Sequence, residues 1–503
     1  MQKYSLAREI QRRTEDSPDA ICFQNETEVY TYRDLGLRSD VLAETLGRFF
    51  PESEPILCFG GLNFNMVVSF LACVKSNHPY IPVDSGTPKH RIEAIRRISG
   101  CQGILTTDEW PFENESLGES KREVKPIGEI AKYPICAAEG DRTFYIIFTS
   151  GTTGLPKGVQ ISHDNLIGFT DWMLRDFDIG YGKRFLLQAP YSFDLSVMSL
   201  YPALLTGGAL AVIGKSVIND FNRLFAAIPR LDINIWVSTP SFADVCLADP
   251  GFNETENPGL SHFIFCGDEL PRATAVKLKE RFPKARVFNT YGPTEATVAV
   301  TKIEITPEVL ASCERLPVGY AKPDVRIGIL DKDGNEAPQG EVGEIVIAGS
   351  AVSKGYFNDA QRTKESFFTY QSLPAYRTGD AGCMENSLLF YKGRLDFQVK
   401  FHGYRIELED IEQHLAQDSH VKAALVVPEY RDYKVRRLIA CVVPEADDIG
   451  KESERTASIK RDLTLSLPDY MIPQKFVYLE KLPLTANGKV DRKGMTDAMN
   501  KKK

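Results

Sequence analysis

Short, uncharged runs rich in β-branched and aromatic residues recur along the chain: ILCF from Ile56, YIPV from Tyr80, GILT from Gly103, FYIIF from Phe144, FLL from Phe185 and ALAV from Ala209. Each is followed by turn residues and then a stretch of helical length. A strand with no polar face is buried on both sides, as in a parallel sheet covered by helices, so the alternation predicts α/β architecture. The rhythm continues through Asn234, His262 and Arg286. Beyond Thr301 short strands with glycine turns appear, as in VRIGILDKDGNEAPQGEVGEIVIAG from Val325, with a turn at Asp331–Gly334. This texture predicts a small antiparallel β-barrel. After a polar crossing at Gly393–Asp396 the remainder reads as mixed α and β. The expected organisation is a large N-terminal domain (1–395) of two α/β subdomains plus the β-barrel, then a smaller α+β C-terminal domain (396–503).

One stretch, Ile56 to Val74, carries no charge and is long enough to suggest a membrane span. It also contains Gly60, Gly61, Asn63, Asn65 and Ser69. A buried strand, a Gly-Gly turn and a helix from about Asn63 fit it better.

Composition narrows the function classes. The 503 residues carry a net charge of −8, which argues against nucleic acid as the main partner, since phosphate backbones call for clustered Lys and Arg. The ten cysteines form no metal-binding spacing, and the N-terminus has no apolar signal region, so a reducing, cytoplasmic setting with free thiols is expected. No zinc motif and no G-x-S-x-G elbow is present.

The segment from Thr149 to Gly158 (TSGTTGLPKG) follows a buried strand. Three glycines and four hydroxyls in ten residues build no core. Backbone N–H groups, hydroxyls and Lys157 can instead wrap a phosphate. A Walker A loop is excluded: Gly214-Lys215-Ser216 has the right ending, but the position of its first glycine holds Ala209.

This loop, with Thr149, Ser150, Gly151, Thr152, Thr153, Gly154 and Lys157, resembles the phosphate-binding signature of the acyl-adenylate-forming superfamily of amino-acid adenylation domains, acyl-CoA synthetases and luciferases. Further segments follow in that superfamily's order over nearly the whole chain: YTYRDL from Tyr30, YIPVD from Tyr80, NTYGPTE from Asn289, GEIVI from Gly343 with Gly355-Tyr356, YRTGD from Tyr376, GRLDFQVK from Gly393, GYRIE from Gly403, LPDYMIP from Leu467 and NGK from Asn487. The resemblance implies an enzyme that uses ATP and Mg²⁺ to activate a carboxylate as an acyl-adenylate, then passes the acyl group to a thiol. It places the nucleotide against Asn289, Thr290, Tyr291, Gly292, Pro293 and Thr294, and against Tyr391, Lys392, Gly393 and Arg394. A Tyr291 ring suits adenine, Asp380 can accept from two ribose hydroxyls, and Glu295 is the implied Mg²⁺ contact. Lys489 is the implied catalytic residue. When a carboxylate oxygen attacks a negatively charged α-phosphate, a fixed cation must offset the repulsion. The resemblance further implies a mobile C-terminal domain rotating about Asp396, so that Lys400, Gly403 and Arg405 replace Lys489 and line a thiol path in the second half-reaction.

The acyl donor is implied by PYSFDLSVM from Pro190. In amino-acid-activating members its aspartate, here Asp194, pairs with the substrate ammonium. The bland alternative is an N-cap for the following helix. Leu195, Met198, Cys266, Thr290 and Val298 are the other implied pocket positions, suited to a small neutral side chain. PYSFDLSVMSLYPAL, FIFCGDELP, FNTYGPTEATVAV and YRTGDAG are together similar to the members that load D-alanine onto a separate carrier protein bearing phosphopantetheine, for D-alanylation of lipoteichoic acid. Cys266 would there help select the hand of alanine. A peptide-synthetase-type enzyme for another small amino acid, an acyl-CoA synthetase and a non-catalytic homologue remain as alternatives.

Overall fold

A computed structural model describes residues 4–112, 137–150, 155–401, 403–431, 433–445, 451–484 and 490–500. The chain divides into two compact units. One comprises Met1–Ser85, Arg96–Phe148 and Gly158–Gly393; the other comprises Gly86–Ile95, Thr149–Lys157 and Arg394–Lys503.

The apolar runs become strands in two sheets. A five-stranded sheet has the spatial order Gly103–Thr106, Ile56–Phe59, Tyr80–Val83, Thr143–Thr149, Lys157–Ser162. The uncharged stretch from Ile56 resolves as expected into a fully buried strand, a turn and the helix Phe64–Lys75, whose N-cap Asn63 accepts from the Met66 amide at 3.1 Å. Among the described residues no helix is long and apolar enough to cross a membrane.

The second sheet has nine strands. Its middle is parallel: Ile21–Gln24, Ala209–Val212, Arg184–Leu187, Ile235–Ser238, His262–Phe265 and Arg286–Tyr291 run the same way. Antiparallel strands close both edges: Val29–Thr31 at one, and Thr301–Glu304 and Tyr320–Ala321 at the other. Because side chains alternate across a strand, each run serves two cores. Phe185, Leu187, Ile235, Val237 and Ile264 enter one. Leu186, Trp236, Phe263, Phe265 and Val287 enter the other. That explains why these strands read as continuous apolar runs rather than alternating ones.

The glycine-punctuated region forms an antiparallel five-stranded sheet of Val325–Leu330, Gly343–Gly349, Leu373–Glu385, Phe367–Tyr370 and Leu388–Arg394. The turn at Asp331–Gly334 is present, with the Gly334 amide donating to the Asp331 carbonyl at 3.1 Å.

In the second unit a hairpin of Gln398–Phe401 and Tyr404–Glu407 accompanies a three-stranded sheet (Val421–Arg431, Lys434–Pro444, Lys475–Tyr478) and the helices Leu408–Leu415, Glu452–Ser466 and Arg492–Asn500. This unit has its own core, including Val399, Ile406, Ile411, Val426, Leu438, Ile459 and Met471. The nine described cysteines are all free and eight are buried.

Candidate active site

Ligands of parallel α/β sheets bind beyond the carboxyl ends of the strands. Several candidate residues of the first unit lie there. Cys266 follows the strand His262–Phe265, Asp194 lies beyond Arg184–Leu187, and Tyr291 ends Arg286–Tyr291.

The last of these strands is pinned by its own side chains. Asn289 Nδ2 donates to the Pro317 carbonyl at 2.8 Å, and Thr290 Oγ donates to the Phe265 carbonyl at 2.7 Å. Gly292 and Pro293 lead into a 3-10 turn, Thr294–Ala296. A Cβ on Gly292 would sit 2.6 Å from the Ala299 Cα, so only glycine fits this crossing. Thr297 and Val298 follow with φ of 56° and 68°. Two consecutive β-branched residues in the left-handed region are strained. Thr297 is held by its hydroxyl donating to the Ala351 carbonyl at 2.7 Å, and the Val298 carbonyl lies 3.7 Å from Cys266 Sγ. The predicted pocket residues Cys266 and Val298 are thereby brought together.

Tyr291 and Asp380 meet directly. The phenol donates to Asp380 Oδ2 at 2.5 Å, and both residues are buried. Burial, then the Asp380 charge, pushes the Tyr291 phenol well above its ordinary range, so it remains the donor. The Asp380 amide donates to Thr378 Oγ, which donates onward to the Ile345 carbonyl. Tyr391 lies with its ring 6.0 Å from that of Tyr291.

Glu295 is fully buried, and its Oε1 accepts from the Tyr356 hydroxyl at 2.8 Å. Among the described residues there is no cluster of three or more His, Cys, Asp or Glu side chains able to hold a metal. Nothing in the Gly355-Tyr356 motif itself signals a hydrogen bond to a residue 61 positions away.

Asp194 is buried as the first residue of a 3-10 turn, Asp194–Ser196, that runs into the helix Val197–Leu205. The cap position of that turn is Phe193, and no side-chain capping bond is made there or at Ser196. The cap position of the helix Val197–Leu205 is thus Ser196, two residues after Asp194. Leu195 and Met198 are buried beside it on the same turn and helix.

The second unit holds the other candidates. Arg394 grips Asp396 with two hydrogen bonds, of 2.8 and 2.5 Å. Lys400 and Arg405 face each other across the hairpin, and Gly403 at its turn has φ of 86°. Arg405 donates to Gln398, which donates to Glu407, a carboxyl raised above its usual range by burial. Ser150 Oγ donates to the Arg405 carbonyl at 2.6 Å, and Lys157 begins the strand Lys157–Ser162. Lys392 is exposed, and Gly393 has φ of 123°. Gly151, Thr152, Thr153, Gly154 and Lys489 lie outside the described residues.

Comparison with known proteins gives this arrangement its place. The model of the family described as "AMP-binding enzyme" matches residues 10–357, and that of the "AMP-binding enzyme C-terminal domain" matches residues 410–489. The chain belongs to the AMP-binding enzyme family. Among its relatives in this family, the D-alanine--D-alanyl carrier protein ligase of Bacillus licheniformis is 49% identical over 98% of this chain and 99% of its own. The ligase of the same name from Streptococcus agalactiae is 47% identical over 99% of this chain and 100% of its own. Among solved structures, an NRPS protein containing adenylation and PCP domains aligns with a TM-score of 0.80 at 26% identity, over 98% of this chain and 84% of that one. The Vibrio cholerae adenylation domain AlmE, solved in complex with glycyl-adenosine-5'-phosphate, shares the fold of this AMP-binding enzyme. Its TM-score is 0.82 at 21% identity, over 98% and 97% of the two chains.

Proposed function

We propose that this chain activates D-alanine with ATP and transfers it to the phosphopantetheine thiol of a separate carrier protein, in the cytoplasm, for D-alanylation of lipoteichoic acid. The observation that carries this reading is the identity of 49%, over nearly the full length of both chains, with a D-alanine--D-alanyl carrier protein ligase.

In the first step a carboxylate oxygen of D-alanine attacks the α-phosphorus. The bond to the pyrophosphate oxygen breaks, and D-alanyl-adenylate and pyrophosphate result. In the second step the thiol sulfur attacks the acyl carbon, AMP leaves, and a thioester forms. Asp194 offsets the substrate ammonium, and Leu195, Met198, Cys266, Thr290 and Val298 bound a small pocket. Asp380 holds the ribose, while Tyr291 supports it and adenine. The loop from Thr149 to Lys157 holds the phosphates, with Arg394 as a further contact. Lys489 offsets charge at the α-phosphate. Glu295 fits a Mg²⁺ contact, since a carboxylate together with phosphate oxygens is a donor set this ion accepts, and a bound ion would offset triphosphate charge. The domain of residues 396–503 turns about Asp396 between the steps, bringing Lys400, Gly403 and Arg405 to the thiol path.

ATP–pyrophosphate exchange with D-alanine, L-alanine, glycine, D-serine and a fatty acid tests the assignment. Exchange strongest with D-alanine is expected. Exchange with an L-amino acid alone would move the chain to the peptide-synthetase type, and exchange with none would refute the substrate.

A further inference from the structure

The hairpin of Gln398–Phe401 and Tyr404–Glu407 has two unlike faces. Its register sets Val399 opposite Ile406 and Phe401 opposite Tyr404, and these four pack on the core of the second unit. Side chains alternate along a strand, so the other face carries Gln398 opposite Glu407 and Lys400 opposite Arg405. Two of these polar residues are withdrawn from water: Gln398 and Glu407 are each 3% exposed. An apolar pair would fill those positions with no desolvation cost, so a buried amide and carboxyl there call for a specific account.

Their bonds supply one. The Gln398 side-chain amide donates to Glu407 Oε1, and its carbonyl oxygen accepts from Arg405 Nε. An amide does both at once, and the carboxylate fixes which end of it faces the guanidinium. The Gln398 backbone N–H donates to Asp396 Oδ1 at 3.0 Å, and the same oxygen accepts from Arg394 Nε at 2.8 Å. One residue thus ties Asp396 through its main chain and Arg405 through its side chain. An arginine has many rotamers, and a buried acceptor of fixed direction removes most of them.

We propose that Gln398 is a positioning residue for the transfer half-reaction: anchored by Asp396 and Glu407, it holds the Arg405 guanidinium in place on the thiol path. The inference rests on the two half-reactions and the Arg405 role proposed above. Adenylate formation relies on Lys489 instead, and so is insensitive to Gln398.

The test separates the half-reactions in the full-length enzyme. ATP–pyrophosphate exchange with D-alanine reads the first. Transfer from preformed D-alanyl-adenylate to a phosphopantetheine-loaded D-alanyl carrier protein, and in parallel to free pantetheine, reads the second. Gln398→Met is expected to slow transfer about tenfold, the scale of one lost hydrogen bond to a charged group, with the kcat and KM values of exchange near wild type. Gln398→Asn keeps the polarity but is a methylene too short to span both partners. It should act the same way, and it serves should the methionine variant not fold. Because Gln398 acts through Arg405, the double variant Gln398→Met/Arg405→Ala should transfer no more slowly than Arg405→Ala alone. Unchanged transfer in the Gln398 variants, or losses that multiply in the double variant, would overturn the inference and leave the activity standing. Equal losses of exchange and transfer with a lower unfolding temperature would also overturn it, by marking a purely structural role. Absence of D-alanine-dependent exchange or of transfer in the wild type would instead refute the activity on which the inference rests.

Discussion

Tyr291 and Asp380 illustrate how residue-level chemistry is assembled. Both stand out in the sequence through their motifs, yet they are 89 positions apart, and nothing local says that they bond each other. The phenol supplies a donor to a carboxylate that is 1% exposed. Tyr291→Phe would leave that oxygen a donor short. We expect a loss of about 1–3 kcal/mol of folding stability, measured by urea unfolding, together with a weaker ATP dependence of exchange. A variant as stable as wild type would show that the pair contributes nothing to the fold. Asp194 was legible in the same partial way. Its residue type and motif marked it, but only the structure separates a buried carboxylate inside a 3-10 turn from an exposed helix cap.

Elements were the most legible level. The runs at Ile56, Tyr80, Phe144, Phe185 and His262 become strands because continuous apolarity is what burial on both faces requires. The helix Leu408–Leu415 contributes a prediction of its own. His414 Nδ1 lies 2.8 Å from the carbonyl of Asp410 and 3.4 Å from its carboxylate. The bond to Asp410 raises the His414 pKa above its ordinary 6.5. A histidine whose folded pKa is raised contributes stability that is fully present below the unfolded value and lost as pH rises through the folded one. The neighbouring His90, with its ring 6.1 Å away, is shifted downward, chiefly by burial and then by the charge of His414, so its own contribution runs the other way. The clean readout is the difference between wild type and His414→Gln. That difference in unfolding temperature should be largest near pH 5.5 and shrink toward pH 8.5. A gap independent of pH would remove the charge from the explanation.

At the scale of the whole molecule the proposed function needs one cation for the first step and another surface for the second. Lys489→Ala is expected to abolish pyrophosphate exchange without lowering the unfolding temperature; wild-type exchange would remove its catalytic role. The basic C-terminal region is expected to steer an acidic carrier protein. Arg492 is already engaged by Glu412, at 2.6 and 2.7 Å. The charge reversals therefore belong at the exposed Lys493 and at Lys501 to Lys503. They should raise the apparent KM for the carrier several-fold at low salt and leave D-alanine-dependent exchange unchanged. Equal KM values at low and high salt would exclude steering.

The sequence by itself determined the α/β architecture, the change to antiparallel strands after Thr301, the strand–turn–helix reading of Ile56 to Val74 and the family's ordered motifs. All of these are local: burial on both faces, turn chemistry and short residue strings are written in consecutive positions. Tertiary structure alone decided which motif residues touch. The Tyr291–Asp380 and Tyr356–Glu295 bonds and the strained Thr297-Val298 step beside Cys266 all depend on segments brought together by chain closure. Hydrogen-bond partners tens of residues apart are selected by three-dimensional packing, and hydrophobic pattern and residue spacing carry no record of that choice.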